Sequence, residues 1–246
     1  MKSVYAWYQK KGRLAQPEQK LPIFLSNRIC ISAIIVVLGA SAALAQNPRR
    51  YLPEESVDAV TLIGHPPAVN SKALREQMAV VLWLQKTRTL SQIAFAKRPL
   101  NLERFVPILN ESLLKVDGSA LNQLMDSVIA EVRAEYDALK GKFDLPRPFE
   151  INGAVHPVGE ARAVAAYPSG HSIRAVVYAR LLGEIFPDHR EALINLGMQI
   201  GYGRVIAGVH FPIDVIAGQK LGNAYADVIL RQPSFTNAMT RIRSPK

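Results

Sequence analysis

Tyr167-Pro168-Ser169-Gly170-His171 stands directly before an apolar-periodic segment that runs from Ser172 to Phe186. A small hydroxyl, a residue without a side chain and an imidazole therefore fall together where a helix is predicted to start. The first N–H groups of a helix have no partner inside it and carry the positive end of its dipole, so they suit an anion. Two further helices are predicted downstream. One covers Asp188 to Ala207, with Asp188 as a plausible cap. The other covers Pro212 to Arg231, with Pro212 placed in the first turn, where its missing N–H costs nothing.

Upstream, Ser119 to Lys140 is the clearest helix. Leu121, Leu124, Val128, Val132, Tyr136 and Leu139 line one face, and Gly141 supplies a stop. Helical spacing also predicts Ser71 to Thr87, with apolar Leu74, Met78, Val81, Leu82 and Leu84. Shorter helices are predicted over Thr89 to Ala96 and Phe105 to Leu113. Residues 46–70 read as an extended arm rich in Pro, Asn and Gly. Phe143 to Tyr167, with three prolines and two glycines, reads as a long loop. No stretch alternates as a strand does, and no repeat is present. The predicted class is all-α, a single compact helical domain with its active site between helix ends in the C-terminal half.

The chain has 246 residues and a formal net charge of +10, of which residues 1–45 hold +5 and the remainder +5. The mild excess suits anionic substrates, and a solvated basic surface explains it equally well. No Lys/Arg stripe with interleaved aromatics and no nucleic-acid-binding motif is present. The one cysteine, Cys30, allows neither a disulfide framework nor a cysteine metal site within the chain. Ile29 to Ala45 is uncharged and mostly apolar, follows several basic residues and ends in Ala43-Leu44-Ala45. That layout predicts a secretory signal peptide over residues 1–45, cleaved or retained as an anchor, and hence a periplasmic body over residues 46–246 with no membrane span.

The remaining polar residues fit one reaction. Each has a structural explanation alone: a cation at a helix end for Lys140, a loop arginine for Arg147, a helix cap for Ser169, satisfied histidines for His171 and His210. Together they make a phosphate site. Gly170 lets backbone approach an anion closely, and the Ser169 hydroxyl adds a donor. Lys140, Arg147 and Arg204 supply the positive charge that phosphoryl oxygens need. His210 lies just before a predicted helix and Asp214 one turn on, so the carboxylate can fix one imidazole nitrogen and free the other as a nucleophile. His171 then serves as acid toward the leaving oxygen and as base toward water.

These residues resemble the signature of the type 2 phosphatidic acid phosphatase superfamily. It reads here as Lys140-x6-Arg147-Pro148, Pro168-Ser169-Gly170-His171 and Gly203-Arg204-x5-His210-x3-Asp214. A body of this size looks most like the bacterial class A non-specific acid phosphatases. The resemblance implies an all-α fold, a phosphohistidine intermediate on His210, and no metal or other cofactor. Asp214 would orient His210, and His171 would be the general acid. Lys140, Arg147, Ser169, Gly170 and Arg204 would bind phosphate. The implied activity is broad hydrolysis of small phosphate monoesters at acidic pH, releasing inorganic phosphate. A lipid-phosphate or diphosphate phosphatase, a vanadate-dependent haloperoxidase and a non-catalytic phosphate binder remain as alternatives, and association into a homo-oligomer stays open. The third motif normally opens with Ser, so Gly203 implies a missing hydroxyl near the pocket.

Overall fold

The computed structural model describes residues 49–243. The expected signal peptide lies outside them. Arg49–Lys246 cluster as one compact unit. All the regular structure among the described residues is helical.

α1 (Ala59–Ile63) is capped by Asp58, and α2 (Lys72–Thr87) by Ser71, whose hydroxyl accepts from Leu74 N at 3.1 Å. α3 (Leu90–Lys97) opens on a reciprocal pair, Thr89 with Gln92. α4 (Val106–Leu109) is short, and α5 (Gly118–Lys140) is long. The latter is capped by Asp117, whose carboxylate accepts from Ser119 N and Ala120 N. α5 buries the six apolar residues that the sequence placed on one face, with Met125 and Ile129 beside them. α6 (Pro148–Ile151) interrupts the expected long loop.

α7 (Gly170–Ile185) is buried on nearly every side. Its burial all round marks it as the centre of the bundle. α8 (Arg190–Ile206) and α9 (Pro212–Leu230) pack directly on it. Two glycines of α9 show how closely. A Cβ on Gly218 would lie 2.6 Å from the Ser169 carbonyl oxygen, and one on Gly222 would lie 2.7 Å from that of Ile173. The N-terminus of α7 is thus seated on α9, and Ser169 N donates to Asp214 O at 3.0 Å.

Four local expectations are corrected. The helix expected over Phe105 to Leu113 stops at Leu109, because Asn110 takes a positive φ of 43° and the chain continues as a 3-10 turn, Asn110–Lys115. Asp188 does not cap α8: it lies in a 3-10 turn, Pro187–His189, and His189 stands at the cap position without a side-chain bond. Gly141 does end α5, as expected, at φ −63° and so without left-handed backbone. The N-terminal arm is not merely extended. Besides holding α1, it is pinned to α5, where the Glu131 carboxylate accepts from Tyr51 N at 2.8 Å and Leu52 N at 2.7 Å. A last helix, α10 (Pro233–Arg243), was not foreseen, and it buries Phe235, Ala238 and Ile242.

Candidate active site

The loop between α8 and α9 carries His210. Pro212 starts α9, and Asp214 in its first turn reaches back to accept from Phe211 N at 2.8 Å and to meet His210 Nδ1 at 3.1 Å, both through Oδ2. His210 is 2% exposed and Asp214 0%. On the other side of the ring, Arg147 NH1 approaches His210 Nε2 at 2.6 Å. Arginine has no acceptor, so Nε2 must be the accepting nitrogen and Nδ1 the protonated one, donating to Asp214. The nitrogen with the free lone pair is therefore the one turned toward Arg147.

Arg147 is itself fixed. Its Nε donates to Val164 O and its NH1 to Val209 O, each at 2.8 Å. Both ends of the guanidinium are thus tied to the loops that frame His210. Arg204, in the last turn of α8, reaches Ala96 O at 3.4 Å, and its buried Nε has no partner. Lys140 closes α5, with Nζ 5.7 Å from the Tyr136 ring. His171 sits in the first turn of α7, its Nδ1 3.5 Å from Arg174 NH2.

A cavity of about 360 Å³ gathers Lys140, Arg147, Gly170, His171, Arg204 and His210 in one wall system. Two residues of the sequence reading stand apart. Ser169 is fully buried outside the lining, and its hydroxyl caps α7 by accepting from Ser172 N at 3.4 Å. Asp214 stands behind His210. Gly170 does line the cavity, but the space of its missing side chain is filled by Tyr136, whose ring lies 2.8 Å from where a Cβ would be. Close packing of that ring, as well as access to backbone, demands a glycine there. Gly203 needs a different correction: a Cβ at this position points at Phe95, 3.6 Å away, and is not part of the cavity. The missing motif hydroxyl is a difference in packing between α8 and α3.

The electrostatics follow from burial and crowded cations. Burial, then Arg147, pushes Lys140 down to about 8. Burial, then Arg204, Arg174 and Arg147, pushes His171 down to about 2. His210 is held well below the usual histidine range, first by burial and then by Arg147, Arg204 and Lys140. Both causes favour its neutral form. Burial raises Asp214 to about 7 against the opposing Phe211 N–H, Arg147 and Lys140. Its second oxygen, Oδ1, is buried without a partner. A proton on Asp214 has room there, while Oδ2 keeps both of its bonds.

The sequence reading missed Arg133, Tyr136 and Asp137, which line the cavity from the same face of α5 as Lys140, and Arg174 on α7. The signal was available as helical spacing: residues 133, 136, 137 and 140 fall on one face, and 174 lies one turn beyond 171. Among the described residues no group of three or more His, Cys, Asp or Glu side chains converges as metal ligands would. No described helix is long and apolar enough to cross a membrane.

Residues 123–237, which include every motif residue named above, match the PAP2 superfamily. The chain carries a PAP2 superfamily domain. Its similarities extend beyond that domain. A non-specific acid phosphatase of Providencia stuartii is 20% identical over 236 residues, covering 91% of this chain and 95% of the relative. A lipid A 1-phosphatase of Rhizobium etli is 34% identical over 70 residues, 28% of this chain and 30% of that protein. A transmembrane PAP2-type phosphatidylglycerolphosphate phosphatase from Bacillus subtilis superposes with a TM-score of 0.51 at 20% identity, covering 70% of this chain and 90% of that one. The helical fold is thus that of a solved PAP2-type structure, and the relatives named here are phosphatases.

Proposed function

We propose that the protein is an exported, metal-independent acid phosphatase that hydrolyses phosphate monoesters through a phosphohistidine on His210. The observation that carries this reading is the Asp214–His210–Arg147 line: Nδ1 tied to a carboxylate, Nε2 kept as a lone pair and covered by a guanidinium. That is an oriented neutral imidazole beside a phosphate-binding cation.

In the first step His210 Nε2 attacks phosphorus, and the P–O bond to the alcohol breaks. Arg147, Lys140 and Arg204 balance the charge on the phosphoryl oxygens. His171 gives its proton to the departing oxygen, then takes one from the water that cleaves the P–N bond. In the free site burial, and then its cationic neighbours, hold His171 deprotonated. A bound dianion offsets those cations and raises its affinity for the proton, so substrate and proton bind together. Acidic pH favours that protonation, while burial keeps His210 neutral, and a bell-shaped pH profile follows.

The test is a substrate panel on mature wild type and His210→Ala with a chelator present. Turnover of an aryl phosphate at acidic pH, lost in the variant, is expected. Undiminished turnover in the variant would refute the mechanism. The 34% identity to a lipid A 1-phosphatase supports a second reading, a phosphatase of lipid-linked phosphates. Faster turnover of a lipid phosphate than of soluble esters in the same panel would establish it. N-terminal sequencing of the exported protein tests removal of residues 1–45.

A further inference from the structure

The cavity carries more positive charge than one phosphate group neutralises. Six lining residues are cationic and two are carboxylates, so four positive charges are in excess. A phosphomonoester brings about two negative charges near neutral pH. Glu160 is spent on Arg162, at 2.5 Å. Among the described residues, no carboxylate stands within ion-pair distance of Arg133, Lys140, Arg147, Arg174 or Arg204.

Those five cations form two groups. The first is the motif set of Arg147, Arg204 and Lys140, with Arg147 NH1 2.6 Å from His210 Nε2. Arg174 belongs elsewhere. It stands on α7, lines the cavity with Arg133 of α5, and its NH2 lies 3.5 Å from Nδ1 of His171. Arg174 is 6% exposed, yet its described partners are neutral: Gly170 O at 3.3 Å, the Tyr136 hydroxyl and the His171 ring. A buried guanidinium without a carboxylate is costly to keep. Arg133 is exposed at the rim and has no ion pair among the described residues. Asp137 on the same face of α5 offsets a single charge between them.

We propose that Arg133 and Arg174 form a second anion subsite beside His171, and that the preferred substrate is a phosphomonoester carrying a second phosphate within a few bonds of the scissile one. The subsite lies on the leaving-group side, which rests on the phosphatase reading and on His171 as the acid. The first group of cations then holds the phosphate under attack, and the second group holds the one that departs with the alcohol.

The experiment compares kcat/KM for propane-1,3-diol bisphosphate with that for propyl phosphate. Wild type should favour the bisphosphate by about tenfold or more, the scale of one added charge-assisted contact. Arg174→Gln and Arg133→Gln should each bring the ratio toward one. Arg133 is at the rim, so that variant stays informative if the buried substitution fails to fold. A wild-type ratio near one, or an unchanged ratio in Arg133→Gln, overturns the subsite. Calorimetry with methylenediphosphonate and methylphosphonate reads the same preference without turnover. Equal affinities overturn the proposal. A protein that prefers the diphosphonate but hydrolyses no ester keeps the subsite and refutes the phosphatase reading.

Discussion

The loop before α9 and the cationic face of α5 line the same cavity but are held in opposite ways. In the loop, nearly every polar atom is spoken for within the protein. His210 is fixed by Asp214 and Arg147, and Arg147 by two carbonyls. On α5, Arg133 and Lys140 have no carboxylate partner among the described residues, and Lys140 leans on an aromatic ring. The first arrangement holds a reacting atom in place before substrate arrives. The second leaves charge unspent until an anion binds. A site that must both orient a nucleophile and capture phosphate needs both, because a fully paired cation offers little to a ligand and a loose imidazole is a poor nucleophile.

The largest expected effects lie on the loop side. His210→Ala should lower kcat/KM by at least about a thousandfold in steady-state assays, as loss of a covalent nucleophile does. Asp214→Asn should lower kcat by about a hundredfold or more, since an amide no longer holds Nδ1–H in one tautomer. If Asp214→Asn cost no more than removal of a single cation on α5, the contrast between the two walls would be lost.

A packing variant tests what supports the loop. Gly218→Ala places a methyl group where the Ser169 carbonyl already lies, 2.6 Å away. It should destabilise the fold by about 1–3 kcal/mol in denaturant titrations and displace the start of α7 from the cavity. Gly222→Ala, one turn further from the site, should destabilise similarly with less loss of activity.

The α5 side is tested with an anion that does not titrate. His171 falls from 6.5 to about 2 in the free site, so a bound anion that raises it must take up a proton. The sign is then fixed: sulfate affinity should rise, by several-fold, as pH falls from 7 to 5. His171→Gln should flatten that slope. Affinity that falls with falling pH would show that His171 takes up no proton with the anion. The smallest effect is expected for Gly203→Ser. Its Cβ meets Phe95 at an ordinary 3.6 Å outside the cavity, so stability should stay within about 0.5 kcal/mol and kcat/KM within about twofold.

The same division separates what was legible in the sequence from what was not. The buried faces of α2 and α5 could be read residue by residue, because apolar periodicity is a local signal. The motif residues from Lys140 to Asp214 could be read because their chemistry makes sense only in combination. Arg174 and Arg133 were marked only by their helical spacing from His171 and Lys140, a weak signal, since an arginine on a helix looks the same whether it faces water or a cavity. Asp188 and Asn110 misled for a related reason: a capping residue type and an unbroken apolar pattern say nothing of the 3-10 turns that tertiary packing selects. The role of Gly203 was misread because the direction of a missing side chain is a three-dimensional fact, and here it points at α3.

A covalent bond from Nε2 of His210 to phosphorus can be trapped by rapid quenching into base during turnover of a labelled phosphate ester, with chelator present, followed by peptide mapping. A base-stable, acid-labile phosphoryl group is expected on the peptide that holds His210, formed as fast as turnover and absent from His210→Ala. Turnover with no labelled protein, or label on any other residue, would contradict that bond.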